Sequence, residues 1–278
     1  YDFARDCTNV SASVTTQFCL VTKSAKAHTH VFAVKCPCDR FDDRSFDYGG
    51  ESIVCKGLKK NTAYKIYYDR KKKELLMMSD NKLEKIKRQY IHPLEHSVRP
   101  LRTITLLGEL IGYEMTYDEN DVSLLDAIIS KEEMIWCLKE TRKILEYYHS
   151  RDIIYGDIKD DNILINRKTG KISFCDMDNI HMQELPIDVM SQELSDFFDE
   201  HGTADNVTDH YMHNLLTLYR INNTIPPKNY LEIAKIIKNG KIDLCSMYDE
   251  EAKSLIKNMR NLSTYKGGYL IDHIKKEI

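Results

Sequence analysis

The stretch that decides the fold runs Tyr155-Gly156-Asp157-Ile158-Lys159-Asp160-Asp161-Asn162-Ile163-Leu164-Ile165 and resumes at Ile172-Ser173-Phe174-Cys175-Asp176-Met177-Asp178-Asn179. Its pattern predicts a polar loop after a helix, a short apolar strand, a turn at Thr169-Gly170, a second strand and an acidic turn. Asp157 and Asn162 lie five residues apart on one loop, and Asp176 follows fourteen residues after Asn162. A hairpin of that length would return Asp176 to the side of Asn162.

Upstream, Met134, Leu138, Thr141, Leu145 and Tyr148 recur at three- and four-residue steps, which predicts a helix from about residue 131 to 150. Downstream, further helices are expected at Asp209–Tyr219, Asn229–Lys238, Glu250–Asn261 and from Tyr269 to the end, punctuated by Pro226-Pro227 and Gly240. Before about residue 117 the chain favours β-type runs: Phe18–Val21, His30–Val34, Ser52–Cys55, Ala63–Tyr67 and Leu110–Met115, interrupted by one helix near Asn81–Arg88. Strands first and helices after imply an α+β protein, in one large domain or two lobes.

Composition narrows the class. The 278 residues are 42% hydrophobic and 30% charged, with a net charge of -3, so the basic excess of a nucleic-acid binder is missing. No apolar run approaches the roughly 18 residues of a membrane span, and no charged segment followed by an apolar stretch suggests a secretory signal. The expectation is therefore a cytoplasmic protein without nucleic-acid or membrane partners. Of the eight cysteines only Cys36 and Cys38 are close, a poor zinc spacing, which fits reduced thiols. His28 and His30 alternate on an expected strand and read as a solvated face rather than a metal site. The sequence sets no oligomeric state.

The central stretch suits phosphoryl transfer. That chemistry needs a carboxylate to accept or orient an attacking hydroxyl, and oxygen ligands for the Mg²⁺ that bridges the phosphates. Asp157 suits the first role, Asn162 and Asp176 the second, and Lys159 could neutralise the transferring group. These residues resemble the protein-kinase catalytic loop H-R-D-x-K-x-x-N and the D-F-G metal motif, here written Y-G-D-I-K-D-D-N and D-M-D. The base, lysine, asparagine and metal aspartate fit that family. Its His, Arg, Phe and Gly do not.

The resemblance covers about residues 46 to 278 and implies a bilobal fold: a small antiparallel β lobe with one helix over 46–117, and a larger helical lobe over 118–278. Segment 1–45, β-rich by pattern, stays outside it. In the small lobe it implies that Lys65, on a third strand, holds the α- and β-phosphates of ATP and is oriented by Glu84, nineteen residues on, with Glu74 as the other register. It implies a phosphate-covering loop at Gly49, Gly50 and Val54. It also implies that Met115 guards the back of an adenine pocket, with backbone groups of Thr116, Tyr117 and Asp118 facing the base. Asp209 would open a buried central helix and brace the catalytic loop, although Thr208 or Asp209 could equally be a helix N-cap.

What the resemblance implies is a serine/threonine protein kinase using ATP and Mg²⁺, with Lys159 as the feature that favours a protein substrate. Two alternatives remain open. A small-molecule kinase of the aminoglycoside or choline phosphotransferase type resembles the chain in Gly156-Asp157 and in Asp178. A pseudokinase scaffold is opposed by the retention of Lys65, Asp157, Lys159, Asn162 and Asp176 together. Gly156 stands where kinases switched by loop phosphorylation carry an Arg, so control by that route is not expected.

Overall fold

The computed structural model of the protein describes residues 46–48, 52–56, 60–69, 74–106, 108–182, 185–187, 197, 204–222 and 230–275. They fall into two compact units, one ending at Leu94 and resuming over Val98–Glu119, the other formed by Glu95–Ser97 and the residues from Asn120 onward. Segment 1–45, with the strands expected at Phe18–Val21 and His30–Val34, lies outside the described residues.

The first unit contains β1 (Phe46–Tyr48), β2 (Ser52–Lys56), β3 (Thr62–Asp69), β4 (Glu74–Leu75), α1 (Asp80–Ile91), β5 (Pro100–Leu106) and β6 (Glu109–Thr116). The strands pair antiparallel in the order β1-β2-β3-β6-β5, and β4 is a short partner of β3. β3 is central and buried from Thr62 to Tyr68. Gly112 makes its close pairing with β6 possible, because a Cβ there would fall 2.0 Å from the Lys65 carbonyl oxygen. Residues directly opposite in an antiparallel pair share a face. The registers Val54–Lys65, Ala63–Met115 and Lys65–Tyr113 therefore put all five on one face. Ala63, Tyr67, Tyr113 and Met115 of that face build a core with Leu83, Ile86 and Tyr90 of α1. Glu114, on the other face, is buried in an ion pair with Arg102 of β5. β5 escaped the sequence pattern because Arg102, Thr103 and Thr105 break its apolar run.

α1 begins at Ser79, whose hydroxyl accepts the Lys82 N–H at 3.2 Å, and it stops just before Pro93, where the α conformation is disfavoured for the preceding residue.

The second unit contains β7 (Asp121–Ser123), α2 (Lys131–His149), β8 (Ile153–Ile154), β9 (Ile163–Asn166), β10 (Ile172–Phe174), β11 (His181–Met182), α3 (Asn206–Ile221), α4 (Tyr230–Lys238) and α5 (Glu250–Asn258). Its sheets are small and antiparallel: β10-β9-β7 and β11-β8. A reciprocal cap between Ser130 and Glu133 starts α2, which buries Met134, Leu138, Thr141, Leu145 and Tyr148. α3 is buried on nearly every side, including the polar Asp209, His213 and Asn214. Its N-cap is Asp205, one turn earlier than expected; Thr208 completes the capping box and Asp209 lies inside the helix.

The helix expected from Tyr269 to the end is a single 3-10 turn, Leu270–His273, among the described residues. Asn214 accounts for the difference. Its Oδ1 accepts the Leu270 N–H at 2.7 Å and its Nδ2 donates to the Gly268 carbonyl at 2.8 Å, so these backbone groups are committed to α3. The protein is thus a mixed α+β chain with small antiparallel sheets. Among the described residues no helix is long and apolar enough to cross a membrane.

Candidate active site

The β9–β10 hairpin brings the decisive residues together. Ile163 pairs with Phe174 and Ile165 with Ile172, and one step further the Cys175 N–H donates to the Asn162 carbonyl at 3.0 Å. Asp176 therefore leaves the hairpin beside the residue that ends the polar loop. The turn is closed by Asn166, whose Oδ1 accepts the N–H groups of Lys168 and Thr169. Asp176 itself has φ 56°, in the left-handed region that aspartate tolerates better than most residues.

The loop is held from behind by α3. Asp209 accepts the Tyr155 N–H at 2.8 Å and the Gly156 N–H at 2.7 Å, and His149 Nε2 lies 2.9 Å from the same carboxylate. Gly156 turns the chain at φ 76°, a conformation that a side chain would strain. Tyr155 stacks on Phe174 with ring centroids 4.4 Å apart, and its hydroxyl donates to the Cys175 carbonyl at 2.7 Å. This tyrosine, standing where the resembling motif has histidine, ties the loop to the residue before Asp176.

Asp157 sits at the centre. Asn162 Nδ2 donates to the Asp157 carbonyl at 2.9 Å and to its Oδ2 at 2.8 Å, and Lys159 Nζ lies 3.1 Å from Oδ2. Burial raises the Asp157 carboxyl above its ordinary value; the Lys159 ammonium opposes that shift and the nearby Asp176 carboxylate reinforces it. Burial also works against the charged form of Lys159, but Asp157 and Asp161 outweigh it, and the Lys159 pKa stands above that of an ordinary lysine. The arrangement offers a carboxylate acceptor flanked by a fixed cation. With its nitrogen committed to Asp157, Asn162 is oriented with its amide oxygen away from that carboxylate. That oxygen and the Asp176 carboxylate are a donor set of the kind a hard cation such as Mg²⁺ takes.

Asp160, a polar loop residue between Lys159 and Asp161, reads as solvated in the sequence. It is buried and bonded to Arg220 and Tyr230. Asp249, Glu251 and His273 also gather ligand-type atoms, although the Asp249 carboxylate already caps α5 through the Ala252 N–H.

In the first unit, Lys65 is only 4% exposed and lies on the same sheet face as Val54 and Met115, with its ammonium 5.8 Å from the centre of the Tyr67 ring. Glu84 does not take the position expected for it. Its side chain is 45% exposed, and its ion pair is with Arg88 at 3.4 Å, one turn along α1. The inward face of α1 instead carries Lys82, Lys85, Ile86 and Gln89, which puts Glu84 on the opposite phase of the helix. The backbone expected to meet an adenine base is partly committed as well. The Thr116 N–H donates to the Arg99 carbonyl at 2.8 Å and the Tyr117 N–H to the Asn61 carbonyl at 3.0 Å, so neither donor remains for a base. Gly49 and Gly50 lie outside the described residues.

No protein-family profile matches the chain, and no curated protein matches it.

Proposed function

We propose that the protein is an ATP-dependent phosphotransferase of the bilobal, protein-kinase-like kind, transferring the γ-phosphoryl group of Mg·ATP to a serine or threonine hydroxyl of a protein. The observation that carries this reading is the set of contacts on Asp157: Asn162 at 2.8 Å and Lys159 at 3.1 Å on one oxygen, on a loop whose backbone is clamped by Asp209. The first unit supports it through a buried lysine, Lys65, on the third strand of an antiparallel sheet that also packs one helix.

In this mechanism Asp157 accepts the proton of the acceptor hydroxyl as its oxygen bonds to the γ-phosphorus and the bond to the β–γ bridging oxygen breaks, releasing ADP. Lys159 holds its positive charge against the transferring group, and its elevated pKa keeps that charge at neutral pH. Lys65 holds the α- and β-phosphates. Asn162 and Asp176 would hold Mg²⁺, which when bound would offset the charge of the phosphates.

The second reading, a small-molecule kinase, draws on Gly156-Asp157 and the buried Asp178. Lys159, two residues after the base, is the feature by which the resemblance to protein kinases favours a protein substrate. The test is incubation with γ-labelled Mg·ATP and, in separate arms, a protein extract and a panel of aminoglycosides and amino alcohols. Label is expected in protein, and Asp157→Asn is expected to abolish it while nucleotide affinity stays within a few-fold. Full turnover in Asp157→Asn would refute the mechanism; label only in the small molecules would replace the acceptor class.

A further inference from the structure

Asp160 is 4% exposed, and each of its polar groups has a partner. Its Oδ1 accepts the Tyr230 hydroxyl at 2.7 Å, and its Oδ2 accepts Arg220 Nη1 at 3.1 Å. Its N–H donates to the same Tyr230 oxygen at 3.1 Å, and its carbonyl accepts the Leu125 N–H at 3.0 Å. Arg220 extends the network by donating Nη2 to the Leu124 carbonyl at 3.0 Å. Tyr230 opens α4 and Arg220 lies in the last turn of α3.

A buried carboxylate–guanidinium pair is a poor source of stability, because desolvating both charges offsets most of their attraction. Its flanking residues Lys159 and Asp161 are only half-buried, so the full burial of this acid is not shared by the charged groups on either side of it. What the pair does provide is a fixed position. Asp209 fixes the loop at Tyr155 and Gly156, and Asp160 fixes it four residues beyond Gly156. Between those two anchors stand Asp157, Ile158 and Lys159, and Ile158 is itself wholly buried.

We infer that Asp160, fastened by Arg220 and Tyr230, is a positioning residue that holds Asp157 and Lys159 in register for phosphoryl transfer. The inference rests on the phosphotransferase reading. Reacting groups displaced by about 1 Å can lose on the order of a hundredfold in rate, so a loosened anchor acts on turnover before it acts on binding.

The variants are Tyr230→Phe, which removes one hydroxyl and leaves the ion pair, and Asp160→Asn, which keeps the shape and removes the charge. Turnover of γ-labelled Mg·ATP is counted as phosphate transferred to casein plus phosphate released to water, together with thermal melting. The expected result for Tyr230→Phe is a kcat lower by about tenfold, with KM for ATP within about twofold and melting within a few degrees. Asp160→Asn is expected to lose more, and the double variant no more than Asp160→Asn alone, since groups acting as one unit are non-additive. Wild-type kcat in a folded Tyr230→Phe together with a folded Asp160→Asn overturns the inference and leaves the reaction standing. Losses in melting with unchanged kcat in the folded fraction reduce the network to a structural one and overturn it too. A wild-type protein that turns over no Mg·ATP overturns both.

Discussion

The carboxylate of Asp209 receives the backbone N–H of Gly156 at 2.7 Å across 53 residues of sequence. The same side chain takes the Tyr155 N–H at 2.8 Å and meets His149 at 2.9 Å, so one buried acid sets the entry of the loop that carries Asp157. Asp209→Asn would turn an amide N–H toward groups that themselves donate. The expected outcome is a loss of about 2–3 kcal/mol in urea unfolding, because hydrogen bonds to a buried charge are the strong ones. Turnover should fall at least about tenfold through misplacement of Asp157. Unchanged stability in that variant would show that the brace contributes nothing.

Tyr155 predicts a metal phenotype. Its hydroxyl holds the Cys175 carbonyl, and Cys175 leads directly into Asp176. Tyr155→Phe keeps the stacking on Phe174 and removes only that bond. Loss of a partner that orients a ligand typically weakens metal affinity by about ten- to a hundredfold. The half-saturating Mg²⁺ concentration for turnover should rise by about tenfold, with stability lowered by only about 1 kcal/mol. An unaltered Mg²⁺ titration would remove Tyr155 from this role.

The legibility of the site followed the range of the interactions that build it. Asp157, Asn162 and Asp176 were readable because a hairpin of fixed length brings them together, and local spacing carries that information. Asp209 was readable as an acid at the head of a helix, but the cap assignment slipped one turn because Asp205, Thr208 and Asp209 are all cap-type residues. Asp160 was not readable, since its burial depends on Arg220 and Tyr230, 60 and 70 residues away. Glu84 misled for a different reason. Helical phase decides which side chains face inward, and α1 buries Lys82, Lys85 and Gln89 beside Ile86, so polar residues blur the apolar stripe that would have shown its inward side. The end of the chain read as helix because propensity outweighs context in sequence, whereas Asn214 holds that backbone in the structure.

The position of Glu84 makes a separable prediction. An exposed i,i+4 pair such as Glu84–Arg88 is worth about 0.3–0.5 kcal/mol. Glu84→Gln should therefore leave turnover within about twofold and stability within about 0.5 kcal/mol. Lys65→Met, which removes the buried cation of β3, should lower turnover by about a hundredfold or more. A large loss in Glu84→Gln would mean that α1 rotates when nucleotide binds, and it would restore the pairing with Lys65.

The last prediction concerns acid. His213 is fully buried in α3, with Nε2 at 3.0 Å from the Leu138 carbonyl, Nδ1 at 3.4 Å from the Thr217 hydroxyl, and its ring edge-on to Tyr269. His210 lies between the rings of His149 and Tyr269, and its Nδ1 accepts the Gly268 N–H at 3.1 Å, which requires that nitrogen to be unprotonated. Burial, the largest cause, lowers both histidines from 6.5 to about 4. Around His210, His149 and Arg142 push further down while Asp209 and Asp205 push up; around His213, the Leu138 carbonyl pushes up and His210 and Arg142 push down. Both groups thus bind protons more weakly in the folded state than in the unfolded one. Between pH 6.5 and about 4 the unfolded chain takes up protons that the folded chain refuses, so stability is full above 6.5 and falls as the pH drops through that window. Each histidine should cost roughly 3 kcal/mol by the lower end. Thermal melting at constant ionic strength from pH 7.5 to 4.5 should show a steep decline in the wild-type protein. His213→Gln keeps a donor for the Leu138 carbonyl and removes the titration, so its decline should be about half as steep. Parallel curves for the two proteins would show that His213 does not titrate between the folded and unfolded states.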